Sequence, residues 1–246
     1  MSSLSTTLRA FALVLASALP AAFQSARAND FVVYTPYVYQ SQTELEVRGY
    51  RFSDSRPDIH GEQGAELSVA HAFTSWWKPE LYLVNYEREP GAGGQTTGYE
   101  FENTFQITTP GEHWADVGFL AAYEHSTLSD EHDEVEFGPL ITKTIGRFTH
   151  TFNAIFEKEV GTGFGGRYEH RYAYSGTYAV SKAFQPGIEV FARPSDDAYH
   201  AGPVVNGEWH VPGTTGNLEY RFGVAFGLNR NAADRTWMAQ LEYEFF

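Results

Sequence analysis

The sequence contains no cysteine, which excludes disulfides, zinc sites built on thiolates and a cysteine nucleophile. Basic residues are scarce, because 17 Lys and Arg against 31 Asp and Glu give a formal net charge of −14. Nucleic-acid binding needs clustered Lys and Arg to contact phosphates, so we expect no nucleic-acid partner. Apart from the N-terminal region, no stretch approaches about 18 continuous apolar residues, which excludes a bundle of transmembrane helices.

Residues 1–28 have the three parts of a secretory signal peptide. Arg9 gives a basic start, residues 10–18 form a short apolar core, and residues 26–28 (Ala-Arg-Ala) match a small-x-small cleavage site. The core is too short to cross a bilayer as a helix, and a buried N-terminal helix is the alternative interpretation. We expect cleavage after Ala28, which leaves residues 29–246 as one exported domain.

Aromatic residues and period-two alternation dominate the rest of the chain. Phe, Tyr and Trp make up 16% of the residues. Alternating segments of about ten residues, separated by turn-rich stretches, are typical of a transmembrane β-barrel. The sequence predicts twelve strands, at 43–53, 63–73, 76–87, 98–108, 112–125, 133–143, 146–158, 167–181, 185–193, 200–210, 216–228 and 235–246. An even number suits a closed antiparallel barrel with both ends on one side.

The connections between the predicted strands form two sets. Turns at 74–75, 109–111, 146 and 185–187 are short, whereas the alternate connections are longer and more polar. Short periplasmic turns and longer outer loops are the bacterial outer-membrane pattern. We therefore predict an all-β, closed, up-and-down transmembrane barrel in the outer membrane. A secreted soluble β-sandwich is the alternative. Residues 29–42 either extend the first strand or enter the barrel.

The C-terminus resembles the terminal strand by which outer-membrane barrels are recognised for assembly. The closing sequence Leu-Glu-Tyr-Glu-Phe-Phe alternates, and either Phe245 or Phe246 takes the terminal position. The expected partners are therefore the barrel-assembly machinery and outer-membrane lipid.

Charged side chains occupy the face of the strands that we assign to the lumen, with fifteen acids against five inward bases, which are Arg48, Lys78, Arg171, Arg193 and Arg221. The lumen-lining candidates are Glu80, Glu100, Glu102, Asp116, Glu136, Glu169, Arg171, Glu189, Arg193, Glu208, Glu219, Arg221 and Glu242. Tyr82 and Phe191 are candidates for apolar contact with a solute. A narrow pore lined with carboxylates favours cations. The same Glu and Arg residues can instead pair, fill the lumen and leave a plugged barrel with a structural or assembly role.

No residue set points to catalysis, a metal or a cofactor, and we predict none of these. The acidic loop 129–134 offers oxygen ligands but lacks the spacing of an EF-hand. His125-Ser126 is an isolated pair, and the glycine-rich stretch 161–166 joins two strands instead of opening a helix. An outer-membrane enzyme acting on lipid or protein is therefore the least favoured alternative.

Several short motifs resemble a group of bacterial outer-membrane barrels assigned as transporters of a phenol-degradation pathway, the MetA type. The motifs are at 77–82 (WKPELY), 133–139 (DEVEFGP), 156–161 (FEKEVG), 186–189 (PGIE), 200–204 (HAGPV) and 241–246 (LEYEFF). The resemblance covers most of the chain after residue 28. It implies a barrel and, more weakly, passage of a small solute, and it assigns no functional residue.

Overall fold

The computed structural model describes residues 28–129, 132–161 and 168–246. Within these residues the chain forms a closed antiparallel barrel in which each strand pairs with its sequence neighbours and β1 pairs with β12. The strands are β1 (Thr43–Ser53), β2 (Gln63–His71), β3 (Trp77–Arg88), β4 (Gln95–Gln106), β5 (Asp116–Ser126), β6 (Asp133–Ile145), β7 (Phe148–Val160), β8 (Tyr168–Tyr178), β9 (Gln185–Arg193), β10 (Ala198–His210), β11 (Asn217–Gly227) and β12 (Arg235–Phe245). The predicted fold class is confirmed.

Little of the described chain is helical. A 3-10 turn at Ala28–Phe31 precedes β1, and no helix among the described residues is long and apolar enough to cross a membrane. The predicted signal peptide falls, up to residue 27, outside the described residues, so the boundary after residue 28 stays a prediction.

The barrel wall carries charge inside and apolar side chains outside. In β1, Glu44, Glu46 and Arg48 are buried, whereas Leu45 and Val47 between them are 46% and 47% exposed. Successive side chains of a strand point to opposite faces of the sheet, so this alternation places the charged set in the lumen. A soluble barrel or sandwich has the reverse distribution, with its apolar face buried. An apolar outer face is the arrangement of a barrel surrounded by lipid.

The two ends of the barrel differ less than the sequence predicts. We call the end where β1 begins and β12 finishes the base, and the opposite end the rim. The base connection 107–115 is as long as the rim connection 54–62, and the rim connection 194–197 is shorter than the base connection 211–216. The lengths of the connections therefore separate the two ends less clearly than the sequence predicts.

Two predicted turns are shifted. The turn at 109–111 extends to residue 115, because Gly111 has a positive φ of 77° and donates its N–H to the Asp116 carboxylate at 2.6 Å. The turn predicted at 185–187 is instead the start of β9, where Pro186 pairs with Val205. A proline is tolerated there because β8 begins to pair with β9 only at Gly187.

The terminal strand position belongs to Phe245. It pairs with Thr43 of β1, and this pairing completes the closure of the barrel at the base. Phe246 lies beyond the strand and is exposed.

Hydrogen bonds hold together the two rim connections next to the β12–β1 pair, which are residues 228–234 and 54–62. Arg56 donates to the Asp54 carboxylate at 2.8 Å and to the carbonyls of Arg230 and Ala232. The backbone N–H of Asp234 also donates to Asp54, at 2.7 Å. The hydrogen bonds from Arg56, together with that from Asp234, hold the pKa of Asp54 well below its usual range. Asp54 therefore stays charged in mildly acidic medium, and the tie persists there.

Gly138 of β6 permits the close approach of β6 to β7. A Cβ atom at this position would lie 2.0 Å from the carbonyl oxygen of Ala154 and 2.9 Å from Cα of Ile155, both backbone atoms that cannot move independently. We expect Gly138→Ala to destabilise the barrel by about 1–3 kcal/mol through overpacking. Thermal unfolding of the refolded barrel in detergent measures this.

The matched control for that substitution is Gly93→Ala. Gly93 lies in a rim connection with nothing within 4 Å of the added Cβ. Equal melting temperatures for the two variants would contradict the close-approach argument.

Candidate functional site

Residues 32–42 run through the lumen and do not extend β1. Tyr34 donates its backbone N–H to Oδ1 of Asn153 at 2.8 Å, and Nδ2 of Asn153 donates to the Tyr34 carbonyl at 2.9 Å. Val38 donates its N–H to Oε1 of Gln106 at 2.8 Å. Wall side chains thus satisfy backbone groups that have no strand partner. We call residues 30–42 the lumen segment.

The base end of the lumen segment is held by side-chain contacts. The hydroxyl of Tyr37 donates to the Asp116 carboxylate at 2.8 Å, so Asp116 joins the segment to the connection 107–115. Tyr39 stacks on Tyr37 with ring centroids 6.4 Å apart. The segment then reaches β1 through Gln42, which is buried.

An apolar cluster closes the rim half of the lumen. Phe31 packs against Tyr50, Phe52 and Phe191, with ring centroids 5.4 to 5.8 Å apart. All four side chains are buried, and the other buried members of the cluster are Ala173, Ala225, Ala233 and Met238. Phe191 therefore contacts protein, although the sequence suggests a solute contact. The segment is inserted far enough for Phe31 to complete an apolar core beneath the rim.

Each of the five predicted inward bases pairs with acids. Arg48 Nε lies 2.5 Å from Glu66, and its guanidinium lies 4.6 Å from the ring centroid of buried Tyr82. The other pairs are Lys78 with Glu44 at 2.5 Å, Arg171 with Glu136 and with Glu157, Arg193 with Asp30 and with Glu169, and Arg221 with Glu189. Arg221 also donates to the Phe31 carbonyl at 2.8 Å. Arg193, through Asp30, and Arg221, through the Phe31 carbonyl, link the wall to the lumen segment.

Carboxylates nevertheless occupy neighbouring positions around the wall. Glu46, Glu242, Glu219 and Glu208 are opposite one another in turn across β1, β12, β11 and β10. On the other side of the barrel the opposed pairs are Glu80 with Glu102, Glu100 with Glu124, Glu124 with Glu134, Glu136 with Glu157, and Glu157 with Glu169. Like charges directly opposite each other in a sheet repel. The inner wall therefore carries more carboxylates than its five inward bases can pair with, which favours the binding of further cations.

A cavity of about 360 Å³ lies in the lumen beside the segment. Seven of the predicted lumen residues line it: Glu80, Glu102, Glu189, Glu208, Glu219, Arg221 and Glu242. Glu219 is exposed and Glu208 is half-buried, so this space reaches solvent. Tyr39 and Glu244, which lie near the base, also line the cavity. The accessible part of the lumen is therefore acidic.

The other predicted lumen residues lie in tighter surroundings. Glu100 is 1% exposed, and neither of its carboxylate oxygens accepts a hydrogen bond from the described chain. Glu136, Glu169 and Arg171 are also buried, in the ion-pair network. Arg193 has a half-buried side chain bonded to several acids. Asp116 lies at the base, against Tyr37.

Sequence reasoning missed several residues of the interior. Glu134 and Glu157 are absent from the predicted lumen set. Alternation could have identified Glu134, which is two residues before Glu136. Glu157 pairs with Arg171. Among the described residues, the carboxylates of Glu124, Glu134 and Glu136 approach within 4.8 Å of one another, as do those of Glu44, Glu242 and Glu244. No signal in the sequence identifies Asn153 and Gln106 as partners of the lumen segment. Of the acidic loop 129–134, residues 130 and 131 lie outside the described residues.

Comparison with known proteins relates the chain to others by fold. No family model matches the chain, and no curated protein matches its sequence. The COG4313 outer membrane channel from Pseudomonas putida F1 is similar, with a TM-score of 0.58 and 11% identity over 85% of this chain and 96% of that chain. The NanC porin is also similar, with a TM-score of 0.50 and 11% identity over 82% of this chain and 99% of that chain. The barrel shares its fold with these outer-membrane proteins. The resemblance to the phenol-degradation group is not confirmed.

The paired hydrogen bonds of Asn153 predict how firmly the lumen segment is held. The chain has no cysteine, so Val38→Cys, at a buried position of the segment, provides a clean reporter. We expect Asn153→Leu to make maleimide labelling of this cysteine about tenfold faster, because two hydrogen bonds to Tyr34 are lost.

Thr151→Val is the matched control for the labelling experiment. Thr151 faces the lumen two residues from Asn153, and its hydroxyl bonds to Thr142 on the wall. Labelling that is equally fast in the Thr151→Val and Asn153→Leu backgrounds would show that Asn153 does not hold the segment.

Proposed function

We propose that the protein is an outer-membrane channel for small solutes that prefers cations. The observation that carries this proposal is the acid-lined cavity, which reaches solvent inside a barrel with an apolar outer face. The predicted signal peptide, the C-terminal strand ending at Phe245, and the fold shared with an outer membrane channel and a porin support the outer-membrane location. In this proposal the base faces the periplasm.

The cation preference follows from the carboxylates that the cavity exposes. Glu208, Glu219 and Glu242 are neighbours on β10, β11 and β12, and all three line the cavity. Carboxylates grouped on a narrow wall attract cations and repel anions. A small solute with a positive charge is therefore the favoured cargo.

The described conformation is a closed one in this proposal. The lumen segment crosses the lumen, and Phe31 packs under the rim with Phe52 and Phe191. Passage of a solute through the rim half therefore requires the segment to move, which breaks its contacts with Asn153 and Arg221. The wall itself is a continuous sheet and need not change.

A second candidate is a permanently plugged barrel with a structural or assembly role. The pairing of all five inward bases with acids favours it, because these ion pairs tie wall strands to one another and, through Arg193 and Asp30, tie the wall to the lumen segment. The two candidates differ in whether a displaced segment opens a path.

Single-channel recording in planar bilayers separates the two candidates. The refolded chain 29–246 is compared with its Asn153→Leu/Gln106→Leu variant, which loses three hydrogen bonds to the segment. A channel predicts discrete openings that become more frequent or larger in the variant. A variant that inserts correctly and stays silent at all voltages would support the plugged barrel instead.

The carboxylates of the cavity predict the ion selectivity of the channel. Replacing Glu102 and Glu242 by Gln removes two acidic groups from cavity walls on β4 and β12. We expect the cation-to-anion permeability ratio to fall about twofold or more, because the local cation concentration drops. The reversal potential under a KCl gradient measures this ratio.

The control removes the same charge from outside the lumen. Asp58→Asn/Glu112→Gln changes two exposed acids, one at the rim and one at the base. An unchanged reversal potential in the cavity variant, or an equal fall in the control, would contradict the assignment of Glu102 and Glu242 to the conducting path.

A further inference from the structure

The outer surface of the barrel has a notch where three small residues are neighbours. Gly49 of β1 is opposite Ala239 of β12 on one side and Ala65 of β2 on the other. These positions alternate with buried ones and so face outward. Together with Tyr86 and Trp237 they line a depression of about 330 Å³. The outward positions of other strands carry large exposed rings, such as Phe101, Tyr123 and Phe137.

Basic residues lie on the rim side of this notch. Arg51, at one end of the depression, is opposite Trp237, and Arg88 is two strands away in the same row, opposite Gln63. Arg235 follows on β12, two residues towards the rim from Trp237. All three arginines are exposed. Strands are about 4.8 Å apart and residues along a strand about 3.4 Å, so the Cα atoms of Arg88 and Arg235 each lie within roughly 10 Å of the Cα atom of Arg51, on opposite sides of it.

Apolar residues lie on the base side of the same notch. Val47 is opposite both Leu241 and Leu67, and all three side chains are exposed. From base to rim, the outward side chains of β12, β1 and β2 therefore change from aliphatic, to small, to cationic. A chain with so few basic residues places three of them together on a surface that faces lipid.

We propose that this notch binds lipid A, whose headgroup carries anionic phosphates without a compensating positive charge. An acyl chain lies over Val47 and in the depression beside Gly49, and the headgroup phosphate lies against Arg51, with Arg235 and Arg88 near it. Arginine suits this role because its guanidinium binds phosphate through two parallel hydrogen bonds. Trp237 and Tyr86 flank the depression, as aromatic residues do at the membrane interface. With the base towards the periplasm, the site faces the outer leaflet.

This inference rests on the part of the proposed function that embeds the barrel in lipid, and it does not need the lumen to conduct. Purified refolded barrel in detergent is titrated with bis-phosphorylated lipid A, and bound lipid is counted by native mass spectrometry. We expect one tightly bound lipid A. We expect Arg51→Gln/Arg235→Gln to weaken its binding about tenfold or more. A zwitterionic phosphatidylethanolamine probe should bind more weakly than lipid A.

Two further variants test the notch itself. Ala239→Phe fills the depression without changing charge and should also reduce lipid A binding. Lys158→Gln/Lys143→Gln is the matched control, because it removes two charges from β7 and β6, away from the notch. The proposal would be overturned if the Arg51→Gln/Arg235→Gln variant bound lipid A as tightly as this control does. It would also be overturned if the unsubstituted barrel bound phosphatidylethanolamine as tightly as lipid A. A barrel that binds lipid A but shows no conductance would contradict the proposed channel and leave the lipid site supported.

Discussion

The interior depends on arginines that bridge the wall and the lumen segment. Arg221 joins Glu189 to the Phe31 carbonyl, and Arg193 joins wall acids to Asp30. Without these cations, the carboxylates that lie opposite one another across the strands would repel. Removing one partner of a buried ion pair leaves an uncompensated charge, which costs far more than a surface pair does. The charge of the wall and the path of the segment are therefore mutually dependent.

The two halves of the lumen have different physical characters. Under the rim, aromatic side chains exclude water around Phe31, whereas the cavity beside the segment exposes Glu219. In the proposed channel, a solute that enters from the base meets carboxylates first and the lumen segment next. A barrier that is a single extended segment can be displaced without breaking the hydrogen-bond ladder of the wall. In the proposed channel, this separation allows a rigid wall and a movable barrier to coexist in one chain.

The strands and their faces could be predicted from the sequence because period-two alternation is a local signal. β7 is harder, since Asn153, Ala154 and Ile155 are buried in succession and interrupt the alternation before Glu157. The path of the lumen segment could not be predicted, because its backbone bonds to side chains of distant strands and not to a neighbouring strand. Cavity residues such as Glu219 follow from alternation once the strand is known. The pairing of each base depends on the closed geometry.

The lumen segment also imposes an order on folding. Its partners are far along the chain: Tyr34 bonds to Asn153, 119 residues away, and Phe31 bonds to Arg221, 190 residues away. Such distant contacts carry a large loop-closure entropy and form slowly. Moreover, the enclosure that receives the segment is complete only when β12 pairs with β1. The earliest residues of the described chain therefore find their final environment only when the last strand is in place.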